Sequence, residues 1–191
     1  MRVLVACEFS GTVREAFKKR GHDAWSCDLL PTEVPGQHFQ GDVFSLLERE
    51  QFDLMIAHPP CTFLSSSGLH WNTRRPERAA QTEQALEFVR RLLDAAVPKI
   101  ALENPIGCIS SRIRRPDQII HPWWFGDDAS KATCLWLKNL PLLQQTAPLV
   151  KKRYANQTPS GQNKLGPSPD RWKLRSKTYQ GIADAMAAQW G

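Results

Sequence analysis

The chain has 191 residues, with 25 Lys and Arg against 19 Asp and Glu, a formal charge of +6 and a pI near 9.2. That length suits one domain with a sizeable core. No apolar run reaches the ~18 residues of a membrane span and no basic-then-apolar leader is visible, so a cytoplasmic protein without a membrane partner is expected. Five cysteines, at 7, 27, 61, 108 and 134, form no Cys-x-x-Cys pair, which argues against a disulfide framework or a bound metal.

In chain order, residues 2–7 are apolar and β-branched and read as a first strand. Residues 9–11, Phe-Ser-Gly, read as a turn. Thr12, with Glu15 three positions on, has the spacing of a capping box. Val13, Ala16 and Phe17 then share one face of a helix that stops at Gly21. Residues 23–27 read as a second strand, ended by Asp28. Strand, turn, helix, strand and acid in that order make a Rossmann-type half.

Residues 31–40 read as loop, and residues 41–44 begin a short element. Residues 54–57, Leu-Met-Ile-Ala, read as a buried strand. Pro59 and Pro60 cannot extend a sheet ladder, so the backbone leaves the sheet there. Cys61 is thereby delivered just beyond a strand's carboxyl end, where open α/β sheets bind their ligands. A polar loop, residues 62–75, follows; its Ser65-Ser-Ser-Gly68 stretch reads as a flexible lid. Pro76 opens a strong helix to about residue 95. Residues 100–102 read as a strand ending in Glu103-Asn104-Pro105, and residues 133–137 as a later strand. Residues 123–125, Trp-Trp-Phe, read as core. Residues 144–176 lack periodicity, and a last helix runs from 179 to 190. The expected fold is α/β, a mostly parallel sheet flanked by helices. Its expected parts are a catalytic domain (1–143), a basic loop-rich segment (144–178) and a helix packing back on the domain (179–191).

The basic excess is concentrated. Between 151 and 178, eight bases, including Lys151, Arg171, Lys173, Arg175 and Lys177, face one acid, Asp170. Such a segment favours polyanions through counterion release, and Tyr154 and Trp172 are interleaved where they could stack on bases. The duller reading is a solvated surface.

A thiol and a carboxylate on one sheet rim suit addition to a pyrimidine. The thiolate adds to C6 and makes C5 nucleophilic, while the acid holds N3 and the exocyclic amine. A free thiol is mostly protonated at neutral pH, so helix N-termini or cations are expected to lower the value for Cys61. Taken alone, Cys61 could equally be a small structural hydrophobe, and Glu103 a surface carboxylate.

Together these residues resemble the cytosine-5 DNA methyltransferase family, in the short form common among phage and prophage genes. His58-Pro-Pro-Cys61 resembles the family's nucleophile motif, and Glu103-Asn104-Pro105 its base-holding motif, about 40 positions later. The resemblance implies a Rossmann-like methyltransferase fold and S-adenosylmethionine as cofactor. It implies cofactor contacts from Glu8, Phe9, Ser10, Gly11, Asp28, Leu29, Asp42, Val43 and Pro59. Cys61 and Glu103 would be catalytic. Ser65, Ser66, Asn104, Lys131, Thr133, Arg171, Lys173 and Arg175 would meet a DNA partner.

Four departures stand out. Lys131 and Thr133 occupy positions where the family carries an Arg-x-Arg pair. Gly11-Thr12-Val13 lacks the further glycines of the first motif, and the last cofactor motif is faint in residues 176–188. Only about 40 residues separate Trp136 from Tyr179, too few for a separate recognition domain, so short sequence specificity resting on phosphate contacts is expected. Two other readings stay open: a pyrimidine nucleotide C5-modifying enzyme with the same thiol chemistry, and an inactive DNA-binding relative.

Overall fold

The computed structural model describes residues 1–191. Its strands are β1 (Arg2–Ala6), β2 (Asp23–Asp28), β3 (His38–Gln40), β4 (Leu54–Ala57), β5 (Lys99–Pro105), β6 (Gln118–Ile120) and β7 (Thr133–Lys138). Its helices are α1 (Thr12–Lys19), α2 (Val43–Leu47), α3 (Ser66–Leu69), α4 (Pro76–Leu93), α5 (Ile109–Arg112), α6 (Arg171–Ser176) and α7 (Gln180–Trp190). The strands form one sheet in the order β3-β2-β1-β4-β5-β7-β6. The first five are parallel, and β7 runs antiparallel to both its neighbours. The chain steps outward from β1 through β2 to β3, then returns to the other side with β4. The carboxyl ends of β1 and β4 therefore flank a topological switch point, the usual ligand crevice of open α/β sheets.

Both faces of the sheet are covered, which is why its central strands read as continuous apolar runs. On one face Val13 and Phe17 of α1 and Ile182, Met186 and Trp190 of α7 pack on Val3, Val5, Leu54 and Ile56. On the other, Leu46 of α2 and Leu86, Val89 and Leu92 of α4 pack on Leu4, Met55, Ile100 and Leu102. Each such side chain contributes about 1.5–3 kcal/mol on burial.

The first helix starts differently from the expectation. Thr12 and Glu15 form no capping box. Gly11 is the N-cap, at φ 74°, in the left-handed region glycine tolerates. The orphan amides of the first turn go instead to Glu8, which accepts from Val13 N at 2.7 Å and Arg14 N at 3.2 Å. Arg14 itself is fully buried. Its guanidinium donates to Ser26 Oγ, Thr32 Oγ1 and the Val34 carbonyl, holding the loop after β2 against α1.

The stretch expected to be a flexible loop, residues 62–75, is α3 followed by a 3-10 turn at His70–Thr73. Arg78, in the first turn of α4, pins it by donating to the Gly68 and Thr62 carbonyls. Two three-residue edge strands, β3 and β6, were read as loop or left unassigned.

Residues 144–178 leave and rejoin the sheet layers beside α7. Gln144 and Gln189 exchange two hydrogen bonds, at 2.7 and 2.9 Å, and Trp190 Nε1 donates to the Pro141 carbonyl at 2.9 Å. Tyr154 is not a free stacking platform: it stacks on Trp123, centroids 6.0 Å apart and planes 17° apart. Lys151 pairs with Asp128 at 2.6 Å. Of the residues read as core, Phe125 is buried, while Trp123 and Trp124 are half-buried.

Candidate active site

β4 and β5 are adjacent and in register, Ala57 beside Leu102. β4 ends there and His58-Pro-Pro-Cys61 leaves the sheet, whereas Glu103-Asn104-Pro105 is the last stretch of β5, still paired with Leu135, Cys134 and Thr133 of β7. The join is specific. The buried Asn104 side chain donates to the Pro59 carbonyl at 2.7 Å, and His58 Nδ1 lies 3.1 Å from Glu103 Oε2. Beyond Cys61 the chain turns tightly, Leu64 N and Ser65 N bonding to the Cys61 carbonyl at 3.1 and 2.9 Å. It then seams onto the β5 exit: Cys108 N bonds the Leu64 carbonyl and Ser66 N the Ile106 carbonyl. Gly107 makes this seam possible, because a Cβ there would lie 1.9 Å from the Leu64 carbonyl oxygen.

Glu103 is nearly enclosed, with 12% of its side chain exposed. Burial pushes its carboxyl up. Lys131, whose Nζ is 4.0 Å from Oε1, together with His58 and the Thr133 hydroxyl, more than offsets this and leaves it below the ordinary glutamate value. Lys131 is fixed in turn by donating to the Arg175 carbonyl at 3.2 Å. Lys131 and Thr133, which stand where two arginines were looked for, thus both flank the carboxylate.

Cys61 is exposed, yet protein around the sulfur dominates its titration. Desolvation raises the thiol above its ordinary value, Lys131 and Arg175 pull it down, and Glu103 pushes it up. The expected lowering is absent, because the two cations do not overcome crowding plus a neighbouring carboxylate. That Glu103 and Lys131 both act on this sulfur puts thiol, acid and cation in one electrostatic neighbourhood.

Next to this cluster is a narrow crevice at the switch point. Cys7, Glu8, Phe9, Ser10 and His58 line it on the sheet side, and Ser176, Lys177 and Thr178 close it from above. The roof is held by a Lys177–Glu33 ion pair at 2.5 Å and by Trp172 against Phe9, ring centroids 6.2 Å apart. Cys7 has a left-handed backbone, φ 60°, a sparsely populated state for a residue with a Cβ. Burial raises Glu8.

Farther along the rim, Asp28 accepts from Leu30 N at 2.9 Å and is raised by burial. Asp42 caps α2 through Phe44 N at 2.6 Å and Ser45 N at 3.3 Å. Both carboxylates act on Cys7 and Cys27, so they belong to the same rim. Leu29 is 75% exposed, while Val43 is buried in the core. Ser65 and Ser66 lie on the seam beside Cys61. Arg171, Lys173 and Arg175 lie on α6, which forms part of the roof.

The crevice holds only about 10 Å³, room for one small polar group and not for a whole nucleoside, but the side chains along the rim have the chemistry a sulfonium nucleoside needs. There is an aromatic ring (Phe9), rim carboxylates with free lone pairs, and a buried His58 Nε2 with no partner. S-Adenosylmethionine would be held by Glu8–Gly11, Asp28, Asp42 and Pro59, with Ser176–Thr178 above. No role for His58 or Cys7 is read from the sequence, whereas residues 176–178 open the stretch in which the last cofactor motif is faint. His58 was legible as the residue between a strand end and two prolines. The roof residues come from a segment more than a hundred positions away, and only that faint motif marks them. No three His, Cys, Asp or Glu side chains stand together to hold a metal ion, and no helix is long and apolar enough to cross a membrane.

No protein-family model and no curated protein matches the chain. Solved structures do. A candidate DNA modification methyltransferase encoded within an E. coli prophage superposes with a TM-score of 0.52 at 14% identity, over 78% of this chain and 51% of that one. An E. coli rRNA methylase (TM-score 0.40, 14% identity, 72% of this chain and 56% of that) and the 16S rRNA methylase RmtB (0.35, 16%, 72% and 55%) superpose too loosely to argue from. The class defined is therefore that of the α/β, Rossmann-like methyltransferase fold. The chain spans about half the length of the prophage-encoded neighbour.

Proposed function

We propose that this chain is an S-adenosylmethionine-dependent methyltransferase acting on C5 of cytosine in DNA, with Cys61 as nucleophile and Glu103 as the group that holds the base edge. The observation that carries the reading is the Asn104–Pro59 hydrogen bond. It ties the Pro-Pro-Cys turn to the end of β5, where Glu103 lies close enough to act on the Cys61 thiol; the crevice itself is lined by His58, not by Cys61 or Glu103.

In this reading Cys61 Sγ, as thiolate, adds to C6 of an extruded cytosine. The electron pair of the C5–C6 double bond moves toward C5 and the ring. Glu103, ionised in the free protein, accepts from the 4-amino group. After taking a proton from solvent it donates to N3, where charge accumulates. S-Adenosylmethionine, held by Glu8–Gly11, Asp28 and Asp42, would supply the methyl group that C5 receives and leave as S-adenosylhomocysteine. Release reverses the addition: C5 loses its proton to water, the C5–C6 double bond returns, N3 gives its proton back through Glu103, and Cys61 departs as thiolate. Lys131 steadies the negative charge that alternates between Sγ and Oε1. Extrusion and groove contact fall to the bases of α6, with phosphates as their partners.

The test is transfer of a radiolabelled methyl group to cytosine-containing DNA, with RNA and dCMP as parallel acceptors, by wild type and Cys61→Ser. DNA labelling that the serine variant loses by at least about a thousandfold supports the reading. Equal transfer by the variant sinks the covalent route, and dCMP as the preferred acceptor sinks the DNA assignment.

A further inference from the structure

His58 stands between the crevice and the base-holding acid. Its amide donates to the Ala6 carbonyl at 2.9 Å, which fixes it between the ends of β1 and β4. Its side chain is 7% exposed. One ring nitrogen, Nδ1, is engaged with Glu103 Oε2 at 3.1 Å. The other, Nε2, is buried without a partner, and His58 lines the crevice. With Nδ1 committed to Glu103, Nε2 is the edge left for whatever fills that crevice. A carboxylate only accepts, so the bond to Glu103 requires the proton on Nδ1, and Nε2 is left to exchange a hydrogen bond with whatever enters the crevice. The other ionisable groups around the ring are Glu8 and Cys7 from the β1–α1 turn and Lys177 from the roof.

We propose that His58 couples the two sites: a polar group of the cofactor's amino-acid end meets Nε2, holds the ring with Nδ1–H on Glu103 and thereby fixes Glu103 to receive the cytosine edge. The inference rests on the function proposed above and adds to it a positioning residue and a direction of coupling. Coupling between two ligands is reciprocal. A filled crevice tightens base binding, and a bound base tightens cofactor binding by the same factor.

The two ends of the imidazole can be replaced separately. The amide of asparagine falls near Nδ1, and that of glutamine near Nε2. The experiment measures binding of a cytosine-containing oligonucleotide with and without saturating S-adenosylhomocysteine, and of S-adenosylhomocysteine alone. The proteins are wild type, His58→Asn, His58→Gln and Glu103→Gln, each checked for native circular dichroism. In wild type the cofactor product should tighten the oligonucleotide at least about fivefold. All three variants should lose that factor. His58→Gln should hold S-adenosylhomocysteine nearly as wild type does, and His58→Asn should lose about tenfold. No coupling in wild type, or coupling undiminished in both His58 variants, overturns the proposal while leaving the methyltransferase reading standing. Wild type that binds neither probe overturns that reading as well.

Discussion

Asn104 donates from a buried carboxamide to the carbonyl of Pro59, 45 positions earlier in the chain, at 2.7 Å. That bond sets the spacing between the Cys61 turn and Glu103. In Asn104→Ala the Pro59 carbonyl loses its partner in a buried place, a loss of about 1–3 kcal/mol. The urea midpoint should fall accordingly. Methyl transfer should fall further than the folded fraction does, because the two reacting groups are no longer held in register.

Gly107→Ala should be among the most damaging single-methyl changes in the molecule. The added carbon meets the Leu64 carbonyl at 1.9 Å, so the seam between the Cys61 turn and the β5 exit must open. A melting temperature lower by several degrees is expected, corresponding to about 2 kcal/mol or more. An unchanged melting temperature would mean that the seam does not form.

The raised Cys61 thiol makes a kinetic prediction. Iodoacetamide should modify Cys61 slowly at neutral pH and faster as the medium passes above the ordinary thiol range. The sign of each neighbour is fixed by charge. Lys131→Gln removes a cation that lowers the thiol, and should slow modification a few-fold at fixed pH. Glu103→Gln removes an anion that raises it, and should accelerate it. Peptide mass spectrometry separates Cys61 from the other four cysteines.

Glu8 carries a pH signature in stability. Its carboxyl is raised in the folded state, burial being the main cause. The folded protein therefore binds this proton more tightly than the unfolded chain does. Stability from this group is present below the ordinary glutamate value of about 4.3 and is lost as pH climbs through the raised one. Wild type should exceed Glu8→Gln by more at pH 4 than at pH 7 in urea titrations. A gap that widens with pH would contradict the assigned direction.

If α6 faces a polyanion, replacing Arg171, Lys173 and Arg175 together by alanine should weaken duplex binding and flatten its salt dependence. Each lost phosphate contact lowers the log–log slope by about 0.9. An unchanged slope would remove α6 from the interface.

What could be read in advance follows burial. β1, β4, β5 and β7 are covered on both faces and left apolar runs, and α4 and α7 left helical ones. The Pro-Pro-Cys exit and the end of β5 were legible because prolines mark where a strand ends, though β5 keeps Glu103 and Asn104 in the sheet. β3 and β6 were not, since three residues at a sheet edge are too few for alternation to register. The α1 cap was misread because Glu8, outside the helix, took the amides that Thr12 would serve. Tyr154 looked free in a basic, aperiodic stretch but is stacked on Trp123 by a contact that no local pattern encodes, while Trp172 touches Phe9 and stays half exposed. The thiol's direction was misjudged for the same reason. Cations were visible in the sequence, while crowding around the sulfur was not.

Both ends of the 144–178 excursion are fastened to α7, at Gln189 and Trp190 on the outward side and at Tyr179 on the return. Between those ends it is tied to the body through Lys151–Asp128, Asn156–Ser130 and Trp172–Phe9, which leaves the stretch from 158 to 168 as the part whose length can change. Doubling such a loop adds only about 0.6 kcal/mol of closure entropy, so a bulkier sequence-reading module could be grafted there without disturbing the strand order.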